Sequence, residues 1–374
     1  MRVEQSRFTL AQGWQPAMLG LPADLVLVFG ERALLQNAEA HSALIQFYPH
    51  ATQVFCSTAG EIQGGDVFDE SIVVTAIDLE KTAIQAVCET IENVTQSYTV
   101  GESLAEKLLA PDLVHIFILS DGQLVNGTEL ARGFNERLPV GVTLTGGLAG
   151  DGIHFQKTLV GLNALPDSGN VVAIGFYGSA LKVGYGSAGG WKEFGPERRV
   201  TASDASQLIE LDGQPALDLY KLYLGDHSKE LPGAALRFPI CLMSDDGQHD
   251  LVRTILSVNE ADKTMLFAGD IPHQAKVRLM RCTYDSLIQG AQKAAEAALV
   301  SSWQPQLAIG VSCVGRKIVL GPRVEEEVEA IRDAIGNDVP ITGFYSYGEL
   351  APFREGEAGQ LHNQTMTLTL LAEA

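Results

Sequence analysis

Short apolar runs alternate with stretches of helical period along most of the chain, an order that predicts strand–helix–strand units. Asp24-Leu-Val-Leu-Val-Phe-Gly30 reads as a buried strand, residues 34–48 as a helix stopped by Pro49-His50, and Thr52-Gln-Val-Phe55 as a second strand. Leu113-Val-His-Ile-Phe-Ile-Leu119 starts a second unit, with Leu130, Phe134 and Leu138 on one helical face before Val142-Thr-Leu-Thr145. A third begins at Leu307-Ala-Ile-Gly-Val-Ser312, a strand closed by a turn at residues 313–316. Val324, Val328, Ile331 and Ile335 then recur at helical spacing, Gly336 stops the helix, and Val339-Pro-Ile-Thr-Gly-Phe344 returns. The fold class expected is α/β, with mixed sheets flanked by helices.

Between the units the pattern is less regular. Alternating runs at 71–77 and 82–88 predict an antiparallel hairpin, and Asn126 with Glu129 predicts a capping box. Residues 191–196 read as a glycine-flanked break. Residues 361–371 alternate as one final strand, with His362, Met366, Leu368 and Leu370 on its buried side. The polar, glycine-bounded stretch 225–233 sets the expected domain boundary, giving domains 24–225 and 226–374.

Each second strand runs into a similar stretch: Cys56-Ser-Thr-Ala-Gly-Glu61, Gly146-Gly-Leu-Ala-Gly-Asp151 and Phe344-Tyr-Ser-Tyr-Gly-Glu349. Aligned on Gly60, Gly150 and Gly348, all three put a carboxylate directly after the glycine. Glycine there permits positive φ or a close backbone approach, so the three strand ends are expected to build one ligand site.

Composition narrows the function classes. The formal charge of −20, from 46 acidic and 26 basic side chains among 374 residues, disfavours nucleic acid and anionic lipid as partners. The N-terminus lacks the apolar core of a secretory signal, and no apolar run is long enough to span a bilayer, so a cytoplasmic protein is expected. Five scattered cysteines without a C-x-x-C pair argue against a disulfide framework or a zinc knuckle.

These glycine stretches, with Ser312-Cys-Val-Gly-Arg316 and Leu361-His-Asn-Gln-Thr365, together resemble the FIST sensory proteins, in which an N-terminal and a C-terminal FIST domain are paired. The resemblance covers about residues 24–371. It implies a ligand-sensing module that reports to a signalling partner. Some stand-alone members bind haem through histidine, sense nitric oxide and regulate a partner histidine kinase; others are thought to sense small polar metabolites such as amino acids. On the haem reading a neutral imidazole holds haem b, and His362, inside a family motif, is the candidate axial ligand. His115 reads as core, His154 and His273 as loop residues, and His227 and His249 as surface.

The resemblance places the ligand among Cys56, Ser57, Thr58, Gly60, Glu61, Gly146, Gly147, Asp151, Cys313, Arg316, Tyr345, Tyr347, Glu349 and Asn363. Tyrosine offers an aromatic face with a polar tip, and Arg316 could grip a carboxylate bidentately. Glu61, Asp151 and Glu349 either hold an ammonium group, orient a histidine or cap the segments that follow them. A hydrolase is the third reading, with Cys56 as nucleophile, His50 as base and Gly146-Gly147 as oxyanion donors. No nucleophile elbow, Walker loop or zincin motif supports it, and no catalytic activity is expected.

Overall fold

A computed structural model describes residues 1–244, 250–354 and 356–374. The three strand–helix–strand units form three sheets of the same plan. Leu25–Gly30 pairs in parallel with Thr52–Ser57, Leu113–Ser120 with Thr143–Leu148, and Leu307–Cys313 with Ile341–Ser346. On the other side of each first strand lies an antiparallel return strand: Ile72–Asp78, Asn170–Tyr177 and Met366–Glu373. Outside these, in turn, lie Arg2–Thr9, Ala83–Thr90 and Leu181–Ala188.

The sheets trade strands in a closed cycle. After its glycine loop the first unit sends Glu61–Gln63 to pair with Ile341–Ser346 of the third. The third sends Gly348–Pro352 to Thr143–Leu148 of the second, and the second sends Val160–Leu162 to Thr52–Ser57 of the first. Each sheet is thus completed by its neighbour, which ties the three together by backbone hydrogen bonds.

The inner faces share one apolar cluster, with Leu27 and Phe29 from the first sheet, Phe117 and Ile174 from the second, and Ile309 and Phe344 from the third. Phe29 and Phe344 rings lie 4.8 Å apart across it. Helices cover the outer faces: Val26 and Val28 pack with Leu34, Ala40 and Leu44, while Ile116 and Ile118 pack with Leu104, Leu130 and Phe134. Burial on both faces is why these strands are continuously apolar. A further sheet of eight strands, between Lys192 and Arg281, has its own core around Leu208, Tyr220 and Phe267. The stretch expected as a domain boundary, 225–233, lies within this layer as 3-10 turns.

Several local expectations change. The runs at 71–77 and 82–88 form no hairpin: Ile72–Asp78 joins the first sheet and Ala83–Thr90 the second. Each is placed by tertiary pairing in its own sheet, which alternation cannot distinguish from pairing with each other. Residues 191–196 are no break, since Lys192–Asp204 is one long strand with register shifts. The expected turn at 313–316 begins the helix Val314–Leu320. The final strand is split into Gly359–His362 and Met366–Glu373, with Gln364 at φ +60° between them, and both of its faces are buried. Asn126 caps Gly127–Arg137, but its own N–H goes to Ser97 Oγ, so the box is not reciprocal. His249 lies outside the described residues.

Candidate functional site

The three glycine stretches meet at the carboxyl ends of the parallel strands. Ala59 N–H donates to the Tyr345 carbonyl and Tyr345 N–H to the Gly60 carbonyl, both at 2.8 Å. Gly150 N–H donates to the Ser57 carbonyl at 2.9 Å, and Tyr347 N–H to the Leu148 carbonyl at 3.1 Å. Each loop is thereby bonded to the other two. This closeness dictates Gly150, where a Cβ would lie 2.9 Å from the Ala59 nitrogen, and Gly60 adopts φ +133°.

Two of the three carboxylates are built the same way. Thr58 Oγ1 and Ser71 Oγ donate to the two oxygens of Glu61 (2.5 and 2.6 Å). Ser346 Oγ and Thr365 Oγ1 donate to the two oxygens of Glu349 (2.8 and 2.9 Å). In both units one hydroxyl stands three residues before the carboxylate and the other immediately ahead of the return strand. Burial pushes both carboxyls up to about 8, against the lowering effect of these donors. Burial thus favours the neutral form of Glu61 and Glu349, and they tie each loop to its own sheet.

Asp151 differs. Its Oδ1 accepts from Phe155 N–H (2.8 Å) and the Tyr347 hydroxyl, and its Oδ2 from the N–H groups of Gln156 and Lys157 (3.0 Å each). Arg32 Nη1 donates to the same Oδ2 at 3.1 Å. This carboxylate is the hub of loop 151–157 and belongs to the wall of a cavity.

The cavity, of about 90 Å³, opens between the first and second glycine loops. Glu31, Arg32, Asp69 and Glu70 line it together with residues 58–61, Asp151, Gly152 and His154. Its volume matches about three waters at their share of liquid volume. Carboxylates dominate the wall and Arg32 is its one permanent cation; Arg32 Nε and Nη2 bond to no protein group among the described residues. At the edge, Lys317 Nζ donates to the Ala59 carbonyl (2.9 Å) and pairs with Asp69. Such a wall suits a small ligand bearing an ammonium group, with room at Arg32 for one anionic end.

Profiles of two domain families match the chain: FIST N domain over residues 24–214 and FIST C domain over residues 216–352. The chain belongs to the FIST family. FIST domains are sensory domains of signal transduction, and this chain is a ligand-binding sensor in that general sense. No curated protein sequence matches it. Among solved structures, a cyanuric acid hydrolase from A. caulinodans aligns at 8% identity over 78% of this chain and 99% of that one. Its TM-score is 0.19, too low to carry an argument.

Of the residues expected at the FIST site, Thr58, Gly60, Glu61 and Asp151 line the cavity, and Tyr347 supports it through Asp151. Others serve the frame. Ser57 Oγ donates to the Gly150 carbonyl (2.7 Å) and accepts from Leu159 N–H (2.8 Å). Gly146 and Gly147 are strand residues paired on both sides, with Ile118 and Leu119 and with Leu350 and Glu349, so they offer no oxyanion hole. Arg316 is wholly buried: it donates to Glu327 Oε2 from Nε (3.0 Å) and Nη2 (2.7 Å), and to the carbonyls of Gly189 and Leu287. Tyr345 donates to the other oxygen of Glu327 (2.7 Å). No group on Arg316 is left to hold a ligand.

Cys56 sits in the central core with its Sγ turned to the Ser57 carbonyl (3.4 Å), and burial pushes the thiol well above its ordinary value. His50 is exposed and, among the described residues, no hydrogen bond joins it to Cys56. This is a packed thiol rather than an activated one. Cys313 is likewise buried, pushed up to about 12. Asn363 lies outside the cavity wall, its carboxamide buried without a partner among the described residues.

His362 also lies away from the cavity. Its Nε2 is 2.9 Å from the Ala351 carbonyl, its ring stands edge-on to Phe353 at 4.7 Å, and burial lowers it to about 4. A haem ligand needs a free ring nitrogen facing a porphyrin-sized space, and these residues do not fit haem at His362. Among the described residues no cluster of histidine, cysteine and acidic side chains is set to hold a metal ion, and no helix is long and apolar enough to cross a membrane.

Sequence reasoning missed Glu31, Arg32, Asp69 and Glu70. The signal was there: Gly30-Glu-Arg32 directly follows a buried strand, at the end where parallel sheets bind ligands. Asp69-Glu-Ser71 precedes its return strand as Asn363-Gln-Thr365 precedes the last one, and Glu70 and Gln364 share φ values of +52° and +60°.

Proposed function

We propose that this FIST protein senses a small metabolite carrying an ammonium group, an amino acid being the simplest, and reports its presence to a separate signalling protein such as a histidine kinase. The observation that carries the reading is the acid-walled cavity of about 90 Å³ with Arg32 in its wall, between the first two of three mutually bonded loops. On this reading Glu70 and Asp69, the latter shared with Lys317, hold the ammonium and Arg32 holds the carboxylate. A site of this size admits an amino-acid head group and excludes a planar macrocycle; pockets for larger ligands run to roughly 300–1,000 Å³.

Haem-dependent nitric oxide sensing remains the competing proposal. At His362 it requires the Ala351 bond to break and the packing against Phe353 to open. Calorimetric titration with glycine, alanine and γ-aminobutyrate, beside a visible spectrum after haem addition, separates the two. Saturable binding of an amino compound, lost in Asp69→Asn/Glu70→Gln, supports the cavity reading. A sharp Soret band that shifts with nitric oxide and disappears in His362→Ala, with no amino compound bound, overturns it.

A further inference from the structure

Resting on that reading of the cavity, we infer that Arg32 is a latch the ligand competes for, and that loop 151–157 is the element it releases. Arg32 Nη1 makes two contacts, with Asp151 Oδ2 (3.1 Å) and the Lys157 carbonyl (3.3 Å), and both belong to this loop. Arg32 is also the cation of the cavity wall. A ligand carboxylate that binds the guanidinium through Nε and Nη2 competes with Asp151 for its charge and pulls on the group that closes the loop at both ends.

The loop is poised to respond. Asp151 has a side chain only 1% exposed and gathers the N–H groups of Phe155, Gln156 and Lys157; Arg32 is its cationic partner. A buried carboxylate that loses its cation is held by neutral donors alone, which weakens its hold on the charge. Phe155 sits at φ +52°, a region bulky residues rarely occupy, and is kept there by stacking on Tyr347 at 4.5 Å. Ile153 at the tip is 70% exposed. Loosening the loop frees Phe155 from Tyr347 and enlarges an apolar surface beside the cavity mouth, a change a partner protein can read. The ligand shifts the loop because it binds the unlatched form better than the latched one.

Hydrogen exchange of residues 152–157, followed by mass spectrometry on the full chain, tests the latch without any ligand. Arg32→Gln is expected to raise exchange there about tenfold while the strands keep their protection; Arg32→Lys, which retains the charge, is expected to change it less. Exchange in Arg32→Gln equal to that of the unmodified protein, with an unchanged thermal midpoint, overturns the latch. Glycine, acetate and methylammonium then separate the parts of the proposal. Glycine and acetate are expected to speed exchange in the unmodified protein and to have no further effect in Arg32→Gln. Glycine that binds by calorimetry without altering exchange keeps the cavity reading and rejects the latch; no binding of any amino compound rejects the cavity reading itself.

Discussion

At the scale of single residues the molecule separates charged groups by job. Glu61 and Glu349 are buried under paired hydroxyls, with burial lifting each to about 8. A carboxyl whose folded value exceeds its unfolded value of about 4.5 binds a proton in the native state that the unfolded chain has released. Stability contributed this way is full below the unfolded value and is lost as pH rises through the folded one, so it falls between about pH 4.5 and 8. Urea unfolding of Glu61→Gln and Glu349→Gln is expected to show a flatter dependence across that window, the parent losing stability relative to each variant as pH rises toward 8. Arg316 makes the opposite case. Arg316→Met strands the buried Glu327 carboxylate and is expected to cost about 3–5 kcal/mol of stability, while ligand affinity in the variant that still folds stays unchanged.

Glycine spacing showed where the chain turns, and the carboxylate after each glycine was legible; which way each side chain faces was not. Arg316 followed a cysteine in an expected turn and read as a ligand grip, but Val314–Leu320 is a helix that aims it inward at Glu327. Arg32 carried no motif at all. Its place after a buried strand marked the position, but its partner Asp151 is more than a hundred residues away in sequence, and no local pattern reveals that contact.

At the scale of elements, helices and buried strands were read well because their periodicity reports burial directly. Pairing was read less well, as the two strands at 72–78 and 83–90 show: each alternates, yet they belong to different sheets. The cap of Gly127–Arg137 gives a test at this scale. Asn126 accepts from Thr128 and Glu129 N–H groups at 3.0 and 3.2 Å and donates to Asp270 at 3.1 Å. Asn126→Ala is expected to lower stability by about 1 kcal/mol, measured by denaturant unfolding, with ligand binding intact.

At the scale of the whole molecule the cyclic exchange of Glu61–Gln63, Gly348–Pro352 and Val160–Leu162 dominates. None of these three sheets is complete without a strand from its neighbour, and the central core draws from all three. Native-state hydrogen exchange is therefore expected to give Leu25–Gly30, Leu113–Ser120 and Leu307–Cys313 opening free energies within about 1 kcal/mol of each other, as one cooperative unit. A unit that opens well below the others would contradict that coupling. The same cycle brings the loops together and leaves, between the first and second, a space that charged side chains from both units face.

The most direct test of that space as the ligand site is a thermal-shift screen of the free protein against the amino acids and small amines, repeated on Asp69→Asn/Glu70→Gln. The account predicts that at least one ammonium-bearing compound raises the midpoint of the parent protein, in step with the logarithm of its concentration above Kd, and that the rise vanishes in the double variant. An equal rise in both proteins, or no rise with any compound of the panel, would contradict it.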